Sequence, residues 1–118
     1  MTQFNIDRTA DTTDITVMGH CNAGRINGSD LCCCAVSMLV FTLMDSLKRL
    51  NLKNFSSGYG GGWCHIRFDN SGENTGKAQT VIQTVTNGFY LLKGRFPSSI
   101  DMNIQGKPAE RSDDLEQR

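Results

Sequence analysis

Apolar and polar residues alternate through residues 4–8 (FNIDR) and again through residues 14–20 (DITVMGH), where Ile15 and Val17 share a face. A period of two marks a strand with one buried side. The polar ADTT between the runs predicts a hairpin. Residues 21–29, rich in Gly and Asn, read as a loop. The period then changes. In LCCCAVSMLVFTLMDSLKRL (residues 31–50), Leu31, Ala35, Met38, Leu39, Thr42, Ser46 and Leu50 fall at helical spacing, while Val40, Phe41 and Leu43 make most of the circumference apolar. Such a helix is buried on more than one side, against a sheet and against either another helix or a second subunit. Asp30 reads as its N-cap, and Lys48 and Arg49 sit in its last turn, where cations are favoured.

Beyond it, NFSSGYGGG (residues 54–62) reads as a glycine-rich turn. In WCHIRFD (residues 63–69), Cys64, Ile66 and Phe68 alternate with Trp63, His65 and Arg67, which predicts a strand. Residues 77–94 place Ala78, Val81, Ile82, Val85, Phe89 and Leu92 on one stripe, an amphipathic helix ended by Gly94 and Pro97. Ile100, Met102 and Ile104 alternate in a last strand. The order is β-β-α-β-α-β. The simplest architecture is α+β, a four-stranded, mostly antiparallel sheet with two helices packed on one face. A single domain over residues 1–106 and a polar, mobile tail over residues 107–118 are expected.

Charge is balanced at 12 basic and 12 acidic residues, which gives no electrostatic reason to expect nucleic acid or a membrane surface as partner. The polar start MTQFNIDRTADTT is no signal peptide. The longest apolar run, residues 32–44, is too short for a span of about 20 apolar residues. A soluble, cytoplasmic protein is expected. Its 5 cysteines, three of them adjacent, then read as free thiols.

Candidate chemistry concentrates in GHCNAGRINGSDLCCCAVS (residues 19–37). A thiol is nucleophilic as thiolate, which a helix N-terminus, an imidazole and partial exposure all favour. With Asp30 as cap, Cys32 and Cys33 lie in the first turn, near free N–H groups and the positive end of the dipole. Cys34 reads as core. His20, at a strand end beside a flexible loop, can reach a first-turn thiol as base, and the first-turn N–H groups can hold an oxyanion. On the residues alone, Cys32 and Cys33 both stand as the nucleophile. So does a plainer reading, core thiols beside a surface histidine, because free cysteines usually pack as small hydrophobes.

The strand-end Gly19-His20, the glycine loop and the run GSDLCCCAVS resemble the ribosomal-processing cysteine protease family. That family carries a strand-end Gly-His-Ala and a helix start like Gly-x-Asp-Ile-Val-Cys-Ala-x-x-Ser. Its cysteine lies three residues after the Asp and four before the Ser. Counted from Asp30 and from Ser37, both intervals select Cys33. GGGWCHIRF and AQTVIQTV are similar to the family's third strand and second helix. Two departures stand out: Cys21 replaces the usual Ala, and the interval from His20 to Cys33 is one residue longer. The resemblance implies a cysteine endopeptidase with a His20–Cys33 dyad and Asp30, Ser37, Gly19 and Gly28 in support. It implies removal of a short N-terminal extension from a large-subunit ribosomal protein or a related phage head protein, a homodimer, and no cofactor or metal.

Two rivals are weighed against it. A zinc site would draw on His20, Cys21, Cys32 to Cys34, Cys64 and His65, but no Cys-x2–4-Cys knuckle is present. A peptide-binding module of the same fold would need no catalysis. His65 and Trp63 read as surface or interface residues, Cys64 as core, and Cys21 as an oxidisable loop thiol without an assigned role.

Overall fold

The computed structural model describes residues 1–21 and 31–106. Their elements are β1 (Thr2–Arg8), β2 (Thr12–Met18), α1 (Leu31–Lys48), β3 (Ser56–Gly60), β4 (Trp63–Asp69), α2 (Thr75–Arg95) and β5 (Ile100–Gln105). The expected four-stranded sheet in the order β-β-α-β-α-β is thereby corrected to five strands in the order β-β-α-β-β-α-β. The added strand, β3, lies within the stretch read as a turn. It sits at one edge of the sheet order β3-β4-β2-β1-β5, and none of its residues is buried. A strand with no buried face leaves no alternation in the sequence. Its partner defines it, through pairing from Ser56↔Arg67 to Gly60↔Trp63, with Gly61 and Gly62 as the connection. The Trp63 indole lies across the bare backbone of Gly58 and Gly60, covering an edge that has no side chains of its own there.

β1 pairs antiparallel with β2, and β2 with β4, while β5 joins β1 in parallel. Register aligns Phe4 with Val17 and Val17 with Cys64, and likewise Ile6 with Ile15 and Ile15 with Ile66. These rows are buried on one face, which α1 and α2 cover. The other face carries Asn5, Asp14, Thr16, His65, Arg67 and Asn103, none of them buried. α2 buries Ala78, Ile82, Val85 and Phe89, and the Phe89 ring stacks on Phe4 at 4.2 Å between centroids. The helices approach closely where Leu39 sits over Gly88. One polar chain enters the core: Arg8 donates to Gln79, Gln79 to Thr13, and Thr13 to Asn70.

α1 buries Cys32, Val36, Val40, Leu43, Met44 and Leu47. This corrects the expected stripe by about one residue, since Leu31 and Met38 are more than half exposed (52% and 67%). It also corrects Cys34, read as core, to an exposed position. In a helix apolar nearly all round, periodicity cannot choose a face, and an error of one position rotates every assignment by about 100°. By length and composition α1 passes for a membrane span, but its buried stripe belongs to the core of this domain.

Candidate active site

At the end of β2, Gly19 turns the chain with φ +91, and a side chain there would strike the Met1 carbonyl, so glycine is required. Its N–H donates to the Gly62 carbonyl at 2.8 Å. That bond sets the exposed imidazole of His20 against the β3–β4 turn. A Cβ built on Gly62 would lie 3.0 Å from His20 Nε2, and Gly62 itself sits at φ +82.

Across from this turn, α1 begins at Leu31 and puts Cys33 in its first turn. Successive helical residues diverge by about 100°, and the three adjacent thiols separate accordingly. Cys32 is fully buried, Cys33 is half-buried and Cys34 is exposed. A cavity of about 130 Å³ opens between α1 and the β2–β4–β3 end of the sheet, and its lining includes Gly19, His20, Cys33 and Ser37. Cys32 and Cys34 do not line it. Val36 and Val40 form its apolar side, and Phe41 and Tyr59, in edge-to-face contact at 5.2 Å, stand at its margin. Asp30 and Gly28, the other two expected site residues, lie outside the described residues.

Behind the cavity is a thiol cluster. Cys21, expected to be an accessible loop thiol, is buried (2% exposed). Its Sγ lies 3.3 Å from Thr2 Oγ1 and makes hydrogen-bond contacts with the Cys32 and Cys33 thiols. Burial first, and the Cys32 contact second, push the Cys21 thiol up to about 11, while the Thr2 and Cys33 contacts act in the opposite direction. Cys64 is buried as read, and burial pushes its thiol up too.

His65 stands apart from this site. On the outer sheet face its Nε2 is 2.6 Å from Asp14 Oδ1, and Arg67 Nη1 donates to Asp14 Oδ2 at 3.0 Å. Among the described residues, no group of three or more His, Cys, Asp or Glu is arranged to hold a metal ion. Sequence reasoning missed Tyr59, Phe41 and Gly62. Each joins the site through long-range pairing of β3 with β4 or packing on α1, and the run of three glycines was the one signal pointing to the turn.

The arrangement suits acyl chemistry on a peptide. It offers a thiol at a helix N-terminus, an imidazole on the facing turn and a cleft with apolar sides. A family model described as cysteine protease Prp matches residues 1–101. Two crystal structures of an essential ribosomal processing protease Prp from S. aureus are similar to this chain. The one with a covalently linked product peptide has a TM-score of 0.72 and 22% identity, and the one with a substrate peptide 0.69 and 20%. Each alignment covers 89% of this chain and 100% of that one. SMU.848 from Streptococcus mutans is similar at a TM-score of 0.62 and 24% identity, over 91% of this chain and 96% of its own. No curated protein matches the chain.

Proposed function

The chain belongs to the family of the cysteine protease Prp, and from that membership we propose that it is a processing endopeptidase working through Cys33 and His20. One observation carries the reading: of the three adjacent thiols, Cys33 alone shares the cavity with His20. The Cys33 thiol gives its proton to the imidazole and its sulfur attacks the scissile carbonyl. The oxyanion that forms is held by backbone N–H groups of the first turn of α1, which have no intrahelical partner. His20 then protonates the departing amine, leaving a thioester on Cys33. Water, deprotonated by His20, hydrolyses the thioester and restores the thiol. Ser37 lies one turn beyond Cys33 on the same wall.

The substrate is the N-terminal extension of a large-subunit ribosomal protein or of a related phage head protein, cut in the cytoplasm. The S. aureus relative is described as a ribosomal processing protease and was crystallised with substrate and product peptides. A homodimer is part of the same proposal, supported by the apolar side chains that α1 and α2 leave exposed, among them Met38, Phe41 and Leu91.

The test is cleavage of a synthetic peptide spanning the ribosomal extension by wild type, Cys33→Ala and Cys32→Ala. Wild type and folded Cys32→Ala cleave at one bond, and Cys33→Ala does not. Loss with Cys32→Ala but not with Cys33→Ala sinks the assignment. Tight binding without cleavage by wild type would identify a peptide-binding module instead.

A further inference from the structure

Peptide hydrolysis uses one cysteine, yet the site brings three thiols together, and Cys21 and Cys32 have no part in the reaction. We propose that Cys21 is a resolving thiol for Cys33: a hydroperoxide oxidises Cys33, and Cys21 closes a disulfide with it that switches the protease off reversibly. The inference rests on the reading of Cys33 as the cleft nucleophile.

Three observations support it. First, the partners are already together. The Cys21 Sγ is in hydrogen-bond contact with the Cys33 thiol, and Thr2 Oγ1 holds it from the other side at 3.3 Å. Second, the two thiols divide the labour by exposure. Cys33 lines a cavity open to solvent, whereas Cys21 is 2% exposed and Cys32 is fully buried. Peroxide therefore meets Cys33 first, and the thiolate character a nucleophile needs is also what peroxide attacks. Burial keeps Cys21 protonated and spares it from direct oxidation. Third, Cys34 is a poor partner because it is exposed outside the cavity, whereas Cys64, buried on β4, lines the cavity and is the rival that the test distinguishes.

The chemistry balances with the peroxide as oxidant. The Cys33 thiolate attacks one peroxide oxygen, the O–O bond breaks, and hydroxide or an alkoxide leaves, so that sulfur is oxidised to the sulfenic acid. The Cys21 sulfur then attacks the Cys33 sulfur. The S–O bond breaks, and the hydroxyl leaves with the Cys21 proton as water. Contact between the sulfurs compensates for the small thiolate fraction of Cys21. A dithiol reductant reverses the bond by exchange. Without Cys21 the sulfenic acid proceeds to sulfinic and sulfonic acids, which thiols do not restore.

The test uses the full chain carrying Cys34→Ser, to keep the exposed thiol out, with and without Cys21→Ala. Each protein is treated with limited hydrogen peroxide, alkylated, digested with trypsin and mapped by mass spectrometry. Activity on the ribosomal peptide is measured before oxidation, after it, and after dithiothreitol. With Cys21 present, the tryptic peptides 9–25 and 26–48 are recovered joined, fragment ions place the bond at residue 33, and most of the lost activity returns. With Cys21→Ala, activity before oxidation is unchanged, Cys33 is found as sulfinic or sulfonic acid, and the loss is permanent. The inference is overturned if Cys33 over-oxidises equally in both proteins, if the bond forms at Cys32, or if Cys33 is found joined to Cys64. The mass readout does not depend on catalysis. A 21–33 disulfide in a protein that cleaves nothing would refute the proposed function and leave the disulfide standing, whereas cleavage without that disulfide would do the reverse.

Discussion

Gly61 and Gly62 are adjacent glycines of one turn, yet they predict opposite results on substitution by alanine. Gly62 has φ +82, and its new Cβ would meet His20 Nε2 at 3.0 Å, whereas Gly61 has nothing within 4 Å and lies outside the left-handed region. A left-handed backbone costs an L-residue about 1–2 kcal/mol. For a domain of roughly this size, that lowers Tm by about 5–10 °C. The contact adds a functional effect, because the imidazole must move by a few tenths of an ångström to relieve it. Since a misplacement of about 1 Å costs on the order of 100-fold, kcat should fall by about threefold to tenfold, with KM nearly unchanged. Gly61→Ala should retain full kcat and a Tm equal to or slightly above wild type, because it restricts mainly the unfolded chain. Differential scanning fluorimetry and steady-state cleavage of the ribosomal peptide read both effects. Equal losses from the two substitutions, or an unchanged kcat in Gly62→Ala, would refute the placement of His20 over this turn as a working part of the site.

Two further outcomes follow from the core and the thiol cluster. Phe89→Ala removes a fully buried ring stacked on Phe4, so urea unfolding should show a loss of about 3–5 kcal/mol. Cys21 has a folded-state pKa near 11, above its ordinary 9.0, so the folded protein keeps a proton that the unfolded chain has lost. Its contribution to stability is complete below about pH 9 and disappears as pH rises through 11. Urea midpoints measured across that window should fall less steeply in Cys21→Ala than in wild type, while Cys64, shifted in the same direction, keeps part of the slope.

Strands with one buried face were legible in the sequence. Ile15 and Val17, Cys64 to Phe68, and Ile100 to Ile104 each alternate, and each lies in a strand whose inward side packs on the helices. β3 was not legible, because Ser56–Gly60 buries nothing and becomes a strand through its pairing with β4 and the Trp63 ring laid over its glycines. The orientation of α1 was not legible either. Its apolar residues occur on every side, so the stripe through Cys32 and Val36 looked no different from the one through Leu31 and Ala35, and Cys34 was assigned to the core as a result. A strand end and a helix cap, signals local in the chain, pointed to His20 and to Cys32 or Cys33, and the family resemblance chose Cys33 between the two. Tyr59 and Gly62 enter the cavity through sheet pairing between residues well separated from Cys33, which no local pattern records.

Everything proposed for the site turns on Cys33, among three adjacent thiols, being the one that attacks the peptide. The most direct test of this is to treat the protein with a peptide of the ribosomal extension ending in a chloromethyl ketone at the scissile position, then locate the adduct by peptide fragmentation. One adduct per chain is expected, on Cys33, forming far more slowly in His20→Ala. An adduct on Cys32 or Cys34, or labelling that His20→Ala leaves as fast as before, would contradict it.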